Sequence, residues 1–262
     1  MKIAVYQGDG VMGEVAANLA VVERVAGEAA AGGAGLVVFP EMFLTGYNIG
    51  AAVNALAEPL DGPSLAALGK IAREARTAIV CGYPERAGDR LFNSAVFLDA
   101  EGETLANYRK SQLFGAFEMA YFTPGSQLVI SEFGGIKVGF LICYDIEFPE
   151  PARHLAQAGV QLLLVPTALM APGVPVARRV VPSRACENQI FVAYANRPGR
   201  EGDLDYVGES CIVGPNGDDL ARAAEGEALI MAEIDPAAIT ACRQDYDYLA
   251  DLRSDLALPS ES

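Results

Sequence analysis

The sequence predicts a single α/β domain in which apolar strands and amphipathic helices form layers. The chain has 262 residues, of which 52% are hydrophobic, and this is enough apolar material for a large core. Short apolar segments alternate with segments whose apolar residues recur at helical spacing. No low-complexity linker divides the chain. We therefore expect one domain over residues 1–262, with residues 236–262 forming a C-terminal tail that is able to contact a partner subunit.

The first part of the chain predicts strands and helices in alternation, with glycine and proline at the boundaries. In chain order these are the strand Lys2–Gln7, a helix that begins near Val15 and ends at Gly32, the strand Leu36–Pro40, a helix that begins after Gly62, and the strand Ala78–Glu85. Residues 94–110 then predict a pair of strands joined by the turn Asp99–Gly102.

The second part repeats the pattern and ends in hairpins. In chain order it predicts the strand Lys137–Cys143, a helix near Pro149–Ala158, the strand Gln161–Thr167, a helix over Val176–Asn188, the strand Ile190–Asn196, a hairpin that turns at Pro215–Gly217, the strand Ala228–Asp235 and a short terminal helix. Such a mixture of strand–helix and hairpin sections is typical of a layered α/β protein.

Charge and cysteine content limit the partners of the protein. The formal net charge is −15, which repels phosphate backbones and anionic lipid surfaces, so we expect neither nucleic acid nor membrane as a partner. The five cysteines are odd in number, widely spaced and without a CxxC pair, which favours neither disulfides nor a zinc site. The N-terminus does not resemble a secretory signal. We expect a cytoplasmic protein.

Three residues that follow apolar strands could together perform acyl transfer. Glu41, Lys110 and Cys143 each lie at the end of a predicted strand or directly after it, and side chains converge at the carboxyl ends of strands in layered α/β folds. A thiol can attack as thiolate, a carboxylate can carry the proton, and an ammonium can stabilise an oxyanion. Taken singly, each residue has another interpretation, namely an inert buried cysteine, a solvated or helix-capping glutamate and a surface lysine.

The segments around these residues resemble the signature segments of a known family. These segments are VVFPEMFLTGY (Val37–Tyr47), YRKSQLF (Tyr108–Phe114) and GFLICYDIEFPE (Gly139–Glu150). Further similar segments are Phe92–Glu103, Phe122–Gly125, Arg184–Gly199 and Gly208–Gly217. All resemble the nitrilase superfamily of carbon–nitrogen hydrolases, in the same order along the chain. The resemblance implies a four-layer α-β-β-α sandwich and a homodimer or larger homo-oligomer.

The same resemblance implies a role for each site residue. Cys143 corresponds to the nucleophile, Glu41 to the general base and acid, and Lys110 to the residue that binds the oxyanion, helped by the backbone N–H of Tyr144. Glu118 corresponds to a further glutamate that supports the lysine and positions the substrate, although a solvent-exposed loop carboxylate is the alternative. No metal or cofactor is required.

Two further predictions concern residues outside the triad. His154 could form a Cys–His dyad, but no acidic residue beside it would orient its ring, and a structural role is favoured. Arg184 and Glu187 lie one helical turn apart and predict a structural ion pair.

The substrate is constrained by residues near the nucleophile. Tyr144 and Asp145 follow Cys143 where nitrilases proper usually have Trp-Glu, so the chain resembles the amidase and carbamoylase branches. Many relatives carry an arginine that can hold a substrate carboxylate where this chain has Glu147. An anion there would repel acidic substrates and favour a neutral or amine-bearing amide, unless Glu147 points away into a surface ion pair. Residues 167–179 predict an apolar pocket wall containing Met170, Pro172 and Val174.

We therefore expect an amidase that hydrolyses a small neutral or amine-bearing carboxamide through a cysteine thioester. Within the short amidase group the chain resembles stereoselective amidases and carbamoyl-polyamine hydrolases. The alternatives are an N-carbamoyl amine hydrolase or a nitrilase that uses the same three residues, and a catalytically silent binding scaffold.

Overall fold

Two six-stranded sheets lie face to face, and helices cover the outer face of each. The computed structural model describes residues 1–253, so residues 254–262 of the predicted C-terminal tail lie outside the described part. One apolar cluster fills the space between the sheets, and two others lie between a sheet and its helices. This arrangement confirms the predicted α-β-β-α sandwich.

The elements agree with the alternation predicted from the sequence. The strands are β1 Lys2–Gln7, β2 Leu36–Val38, β3 Ala78–Ala87, β4 Arg90–Leu98, β5 Thr104–Arg109, β6 Ile130–Phe133, β7 Ile136–Phe140, β8 Leu162–Pro166, β9 Phe191–Ala195, β10 Arg200–Glu201, β11 Leu204–Asp205, β12 Cys211–Val213, β13 Asp219–Arg222 and β14 Ala228–Glu233. The α-helices are α1 Val15–Ala31, α2 Val53–Leu56, α3 Pro63–Ala75, α4 Gly115–Tyr121, α5 Pro149–Gln157, α6 Val181–Asn188, α7 Pro236–Asp245 and α8 Tyr248–Asp251.

The two sheets have the same plan. The first has the order β14-β1-β2-β3-β4-β5, and the second has the order β13-β12-β9-β8-β7-β6. In each sheet three central strands are parallel, β1 to β3 in the first and β7 to β9 in the second, and the outer strands pair antiparallel. The parallel strands of each sheet therefore end at one edge, where loops carry polar side chains.

Alternation along the strands divides the core into layers. In β1, Ile3 and Val5 point between the sheets, whereas Ala4 and Tyr6 point toward the helices. Successive side chains of a strand face opposite sides, so a fully apolar strand fits between two apolar layers. All four of these side chains are at most 4% exposed. This double burial explains why the predicted strands are continuous apolar runs rather than alternating ones.

The helices bury one side each against the sheets. Val22 and Val25 of α1 and Leu68 of α3 pack in the cluster on the outer face of the first sheet. Leu155 of α5 and Ala185 of α6 belong to the corresponding cluster on the second sheet. Pairs of apolar residues three or four positions apart produce this one-sided burial.

Three features differ from the sequence-based expectation or extend it. The strand β6 forms an antiparallel hairpin with β7 that the apolar pattern did not indicate. The helix predicted from Val176 begins with a π-helical stretch, Val176–Val180, before α6. The described part of the tail packs on its own domain, where Gln189 Nε2 donates to the carbonyl of Tyr246 at 2.8 Å. Within residues 1–253, no helix has the length and apolarity that crossing a bilayer requires.

Candidate active site

Glu41 lies in the loop that follows β2 and is completely buried. Its backbone N–H donates to the carbonyl of Thr167, after β8, at 3.3 Å, so the loop is tied to the opposite sheet. Its Oε1 accepts from Lys110 Nζ at 2.7 Å and from Asn93 Nδ2 at 2.7 Å. Within residues 1–253, its Oε2 has no hydrogen-bond partner. Burial raises the pKa of Glu41, and the charge of Lys110 acts against that shift.

Lys110 directly follows β5 and lies between two carboxylates. Its Nζ donates to Glu41 at 2.7 Å and to Glu118 at 2.6 Å, and all three side chains are fully buried. Burial acts to lower the pKa of Lys110, but the charges of Glu41 and Glu118 outweigh it and hold the pKa well above its ordinary value. The lysine is therefore a fixed positive charge.

Glu118 projects from α4 into this cluster, so it is not a solvent-exposed loop carboxylate. Besides Lys110, its Oε1 accepts from the hydroxyl of Tyr47 at 2.8 Å. Its Oε2 accepts from the backbone N–H of Phe114 at 2.9 Å. These donors fix the carboxylate on both sides and leave it oriented toward the lysine.

Cys143 is the first residue of a 3-10 helix, Cys143–Glu147, that follows β7. Its φ of 48° lies in the left-handed region, a conformation that costs energy for a non-glycine residue and is common at active sites. Burial and the charge of Glu41 raise the pKa of Cys143 well above its ordinary value, while Lys110 acts to lower it. This raised pKa fits the predicted role of Glu41, which is to accept the proton of the thiol as the sulfur attacks.

Asp145 joins the segment of Cys143 to the segment of Lys110. It is fully buried, and its Oδ2 accepts from Tyr108 Oη at 2.8 Å and from the backbone N–H of Ile142 at 3.0 Å. Its Oδ1 accepts from Ser111 Oγ at 2.8 Å and from the backbone N–H groups of Ser111 at 3.2 Å and Gln112 at 2.7 Å. One carboxylate thus connects the end of a strand in each sheet, and it lies two residues after the thiol and next to the lysine loop.

Arg184 and Glu187 form the predicted ion pair on α6, with a separation of 2.9 Å. Arg184 also donates to the carbonyls of Ile146 at 3.0 Å and Glu147 at 2.8 Å. These two carbonyls lie at the end of the 3-10 helix that Cys143 begins. The arginine therefore holds the far end of that helix in place.

A cavity of about 310 Å³ opens beside Cys143. Its wall is largely apolar and includes Met170, Pro172 and Val176, while Glu147 also lines it. The predicted wall from residues 167–179 is thus present. Val176 takes the place that we expected for Val174, which is not among the lining residues. Glu147 faces the cavity rather than a surface ion pair, and burial raises its pKa.

His154 lies apart from this arrangement. It is exposed on α5 and does not line the cavity that holds Cys143. The structure therefore gives no support to a Cys–His dyad. It also places His154 at the surface, where no structural role in the core is available.

Several residues that complete the site have no predicted role. Asn93 donates to Glu41, and Tyr47 donates to Glu118. Arg197 is fully buried, and its guanidinium donates to the carbonyls of Glu41 at 3.2 Å and Met42 at 3.0 Å. All three lie within segments that resemble the family, but their contacts join parts of the chain that are far apart in sequence. No pattern along the chain would have identified these contacts.

We expect Asp145→Ala to lower both stability and activity. The substitution leaves five donors without their acceptor, so the free energy of unfolding should fall by about 3 kcal/mol. Loosening the link between the two strand ends should also lower kcat by up to about 100-fold. Urea unfolding and ammonia release would measure the two effects. Asp61→Ala, at an exposed position, is the control and should change stability by less than about 0.5 kcal/mol. Equal behaviour of both variants would contradict the linking role.

The chain is similar to known proteins over nearly its whole length. Residues 2–244 match the family model described as carbon-nitrogen hydrolase. The chain is 48% identical over 98% of its length to a Pseudomonas protegens protein named "Hydrolase in pqqF 5'region", covering 90% of that protein. It is 40% identical over 97% of its length to an "(R)-stereoselective amidase" of a Pseudomonas species, covering 92% of that protein.

A solved structure with the same fold is an amidase from Nesterenkonia sp., which has a TM-score of 0.89 and 35% identity. The match covers 97% of this chain and 93% of that one. One mutant structure of the Nesterenkonia amidase shows the result of Michael addition of acrylamide at the active site cysteine. Another shows covalent addition of the acetamide moiety of fluoroacetamide at that cysteine.

Proposed function

Since this chain belongs to the carbon–nitrogen hydrolase family, within the nitrilase superfamily, we propose that it is an amidase with Glu41, Lys110 and Cys143 as its catalytic residues. Its substrate is a small neutral or amine-bearing carboxamide, and the products are the acid and ammonia. The observation that carries the proposal is the buried ammonium of Lys110 between Glu41 and Glu118, beside a thiol that opens on an apolar cavity.

The first half of the reaction forms a thioester. Glu41 Oε2, the oxygen without a partner among the described residues, accepts the proton of Cys143 as sulfur bonds to the amide carbon. Lys110 Nζ and the backbone N–H of Tyr144 stabilise the oxyanion. The carbon–nitrogen bond then breaks, and Glu41 returns the proton to the leaving nitrogen, so that ammonia departs. The raised pKa of Glu41 suits a group that both accepts and donates a proton.

The second half releases the acid. Water attacks the thioester carbon while Glu41 accepts one of its protons, and Lys110 again stabilises the oxyanion. The carbon–sulfur bond breaks, and sulfur recovers the proton from Glu41. Glu118 keeps Lys110 charged and oriented throughout, since Lys110 and Glu118 remain fully buried at 2.6 Å. Glu41 carries the protons that pass between sulfur, nitrogen and water, and the second proton of the water leaves with the acid.

The free-energy cost of burying Glu41, Lys110 and Glu118 argues against a catalytically silent binding scaffold. Three ionisable side chains without solvent exposure lose their hydration, and apolar replacements of similar volume are often as stable or more stable. The left-handed Cys143 adds backbone strain at the same place. Neither feature has a purpose in a protein that only binds.

The test is ammonia release from matched compounds, with Cys143→Ala as the reference. The set contains butyramide, an aminocarboxamide, an N-carbamoyl amine, succinamate and butyronitrile. We expect Cys143-dependent release from the first two and a covalent acyl adduct in the intact mass during turnover. Release from butyronitrile but not from butyramide would favour a nitrilase, and release from the carbamoyl amine alone would favour that alternative. A folded protein that acts on none of them would favour the scaffold.

We also propose that the protein is a single domain that works in the cytoplasm as a homodimer or larger homo-oligomer. All five cysteines are free, as a reducing compartment requires. The C-terminal segment exposes Tyr246, Tyr248 and Leu252, each close to half exposed, which suits contact with a partner subunit. Light scattering of the full chain tests the assembly, and a monomer at micromolar concentration would contradict it.

A further inference from the structure

Glu147 differs from everything around it in the cavity. Of the described residues that line the cavity, Glu147 alone has a charged side chain, and the others include Phe114, Met170, Pro172 and Val176. A carboxylate against an apolar wall is poorly hydrated, so an opposite charge that enters the cavity interacts with it more strongly than in water. Within residues 1–253, no ion pair involves this carboxylate.

The backbone of Glu147 is held in place, which makes its carboxylate a defined feature of the cavity. Its carbonyl accepts from Arg184 Nη2 at 2.8 Å, and Arg184 is itself paired with Glu187. The guanidinium of Arg184 therefore contacts the backbone of Glu147, and it forms its ion pair with Glu187. Glu147 itself lines the cavity.

Lys110 does not neutralise Glu147. Its charge acts on the pKa of Glu147, but its Nζ forms ion pairs at 2.7 and 2.6 Å with two other carboxylates. Lys110 therefore pairs with Glu41 and Glu118 and leaves the carboxylate of Glu147 without an ion-pair partner among residues 1–253. The whole chain is also acidic, with a formal net charge of −15. A cation is therefore attracted by the net negative charge of the chain at long range and by Glu147 once it is inside the cavity.

The distance between Cys143 and Glu147 determines how far from the substrate carbonyl a positive charge must lie to contact Glu147. The two residues are the first and last of one 3-10 helix. A 3-10 helix rises about 2 Å per residue, so their backbones are separated by roughly 8 Å along the helix axis. A substrate bonded to sulfur at its carbonyl carbon can span this distance with a few bonds. The charge that Glu147 would contact therefore belongs to the acyl group.

We propose that Glu147 is a specificity-determining residue that selects carboxamides whose acyl group carries a protonated amine a few bonds from the carbonyl. The inference rests on the proposed amidase function and narrows its substrate class. Neutral amides of the same shape fill the apolar cavity but leave the carboxylate unpaired. Acidic amides place two anions together and are rejected.

The experiment compares kcat/KM for two carboxamides of equal size, 3-aminopropanamide and butyramide, by ammonia release. Wild type should favour the amine by about tenfold or more. Glu147→Gln keeps the side-chain size and removes the charge, so the ratio of the two values should fall to near one. Glu147→Arg should reverse the order for succinamate against 3-aminopropanamide. The exposed Glu150→Gln removes a charge three residues away and is the control that should keep the wild-type ratio.

A second measurement needs only the wild-type protein. Above the pKa of the substrate amine the preference should disappear, and butyramide measured at the same pH corrects for changes in the enzyme itself. A wild-type ratio near one, or a ratio that Glu147→Gln leaves unchanged, would overturn the role of Glu147 while the amidase function stands. Absence of Cys143-dependent release from every amide would instead overturn the proposed function, and the specificity with it.

Discussion

Replacement of Cys143 by alanine is expected to lower kcat for a carboxamide by at least about 10⁴-fold, because the thiol forms the acyl intermediate in the proposed reaction. The fold should persist, since a small side chain replaces another small one beside a cavity. Ammonia release and the intact mass of the protein during turnover would measure the loss of rate and of the acyl adduct.

Cys186→Ala provides the matched control for this substitution. Cys186 is a free thiol on α6 that is only partly buried and does not line the cavity, so its removal should leave the rate close to that of wild type. Residual activity of Cys143→Ala above about one-hundredth of the wild-type rate would show that the thiol is not the nucleophile.

Lys110→Met should cost both activity and stability. The buried carboxylates of Glu41 and Glu118 would lose the ammonium that each contacts within 2.7 Å, and removal of one partner from a buried ion pair costs about 3–5 kcal/mol in the free energy of unfolding. Loss of the oxyanion-binding charge should lower kcat by at least about 10³-fold. Urea unfolding and ammonia release measure the two effects separately.

A double variant distinguishes the two roles of the lysine. Adding Glu118→Gln to Lys110→Met removes one of the two facing carboxylates, so part of the stability should return. The rate should not return, because the oxyanion still has no ammonium. Recovery of activity in the double variant would mean that Lys110 acts only by neutralising its neighbours.

The sequence predicted the parts of the fold that depend on local pattern. The strand β1 and the helix α3 follow directly from continuous apolar residues and from Pro63 at the helix start. The strand β6 was missed because two of its four residues, Ser131 and Glu132, are polar, and only its pairing with β7 makes it a strand. Pairing partners are set by the tertiary structure and leave little trace in a short segment.

The sequence predicted which side chains lie together where the chemistry of a residue and the family resemblance indicated the same position. Glu41, Lys110 and Glu118 meet as expected, and the structure brings Cys143 into electrostatic contact with Glu41 and Lys110. The direction in which the pKa of Cys143 is shifted was not predictable, since it depends on burial and on neighbouring charges. The same limit applies to Asp145, whose five donors come from two separate parts of the chain, residues 108–112 and Ile142.

The division of the site between two sheets has a consequence for the newly made chain. Glu41 and Lys110 follow strands of the first sheet, whereas Cys143 follows a strand of the second. During synthesis the base and the ammonium emerge before the thiol, and they come together with it only when the two halves of the chain dock. A ribosome-bound or half-folded chain thus carries an ordinary cysteine. The set of base, ammonium and thiol is therefore complete only after the two sheets have docked.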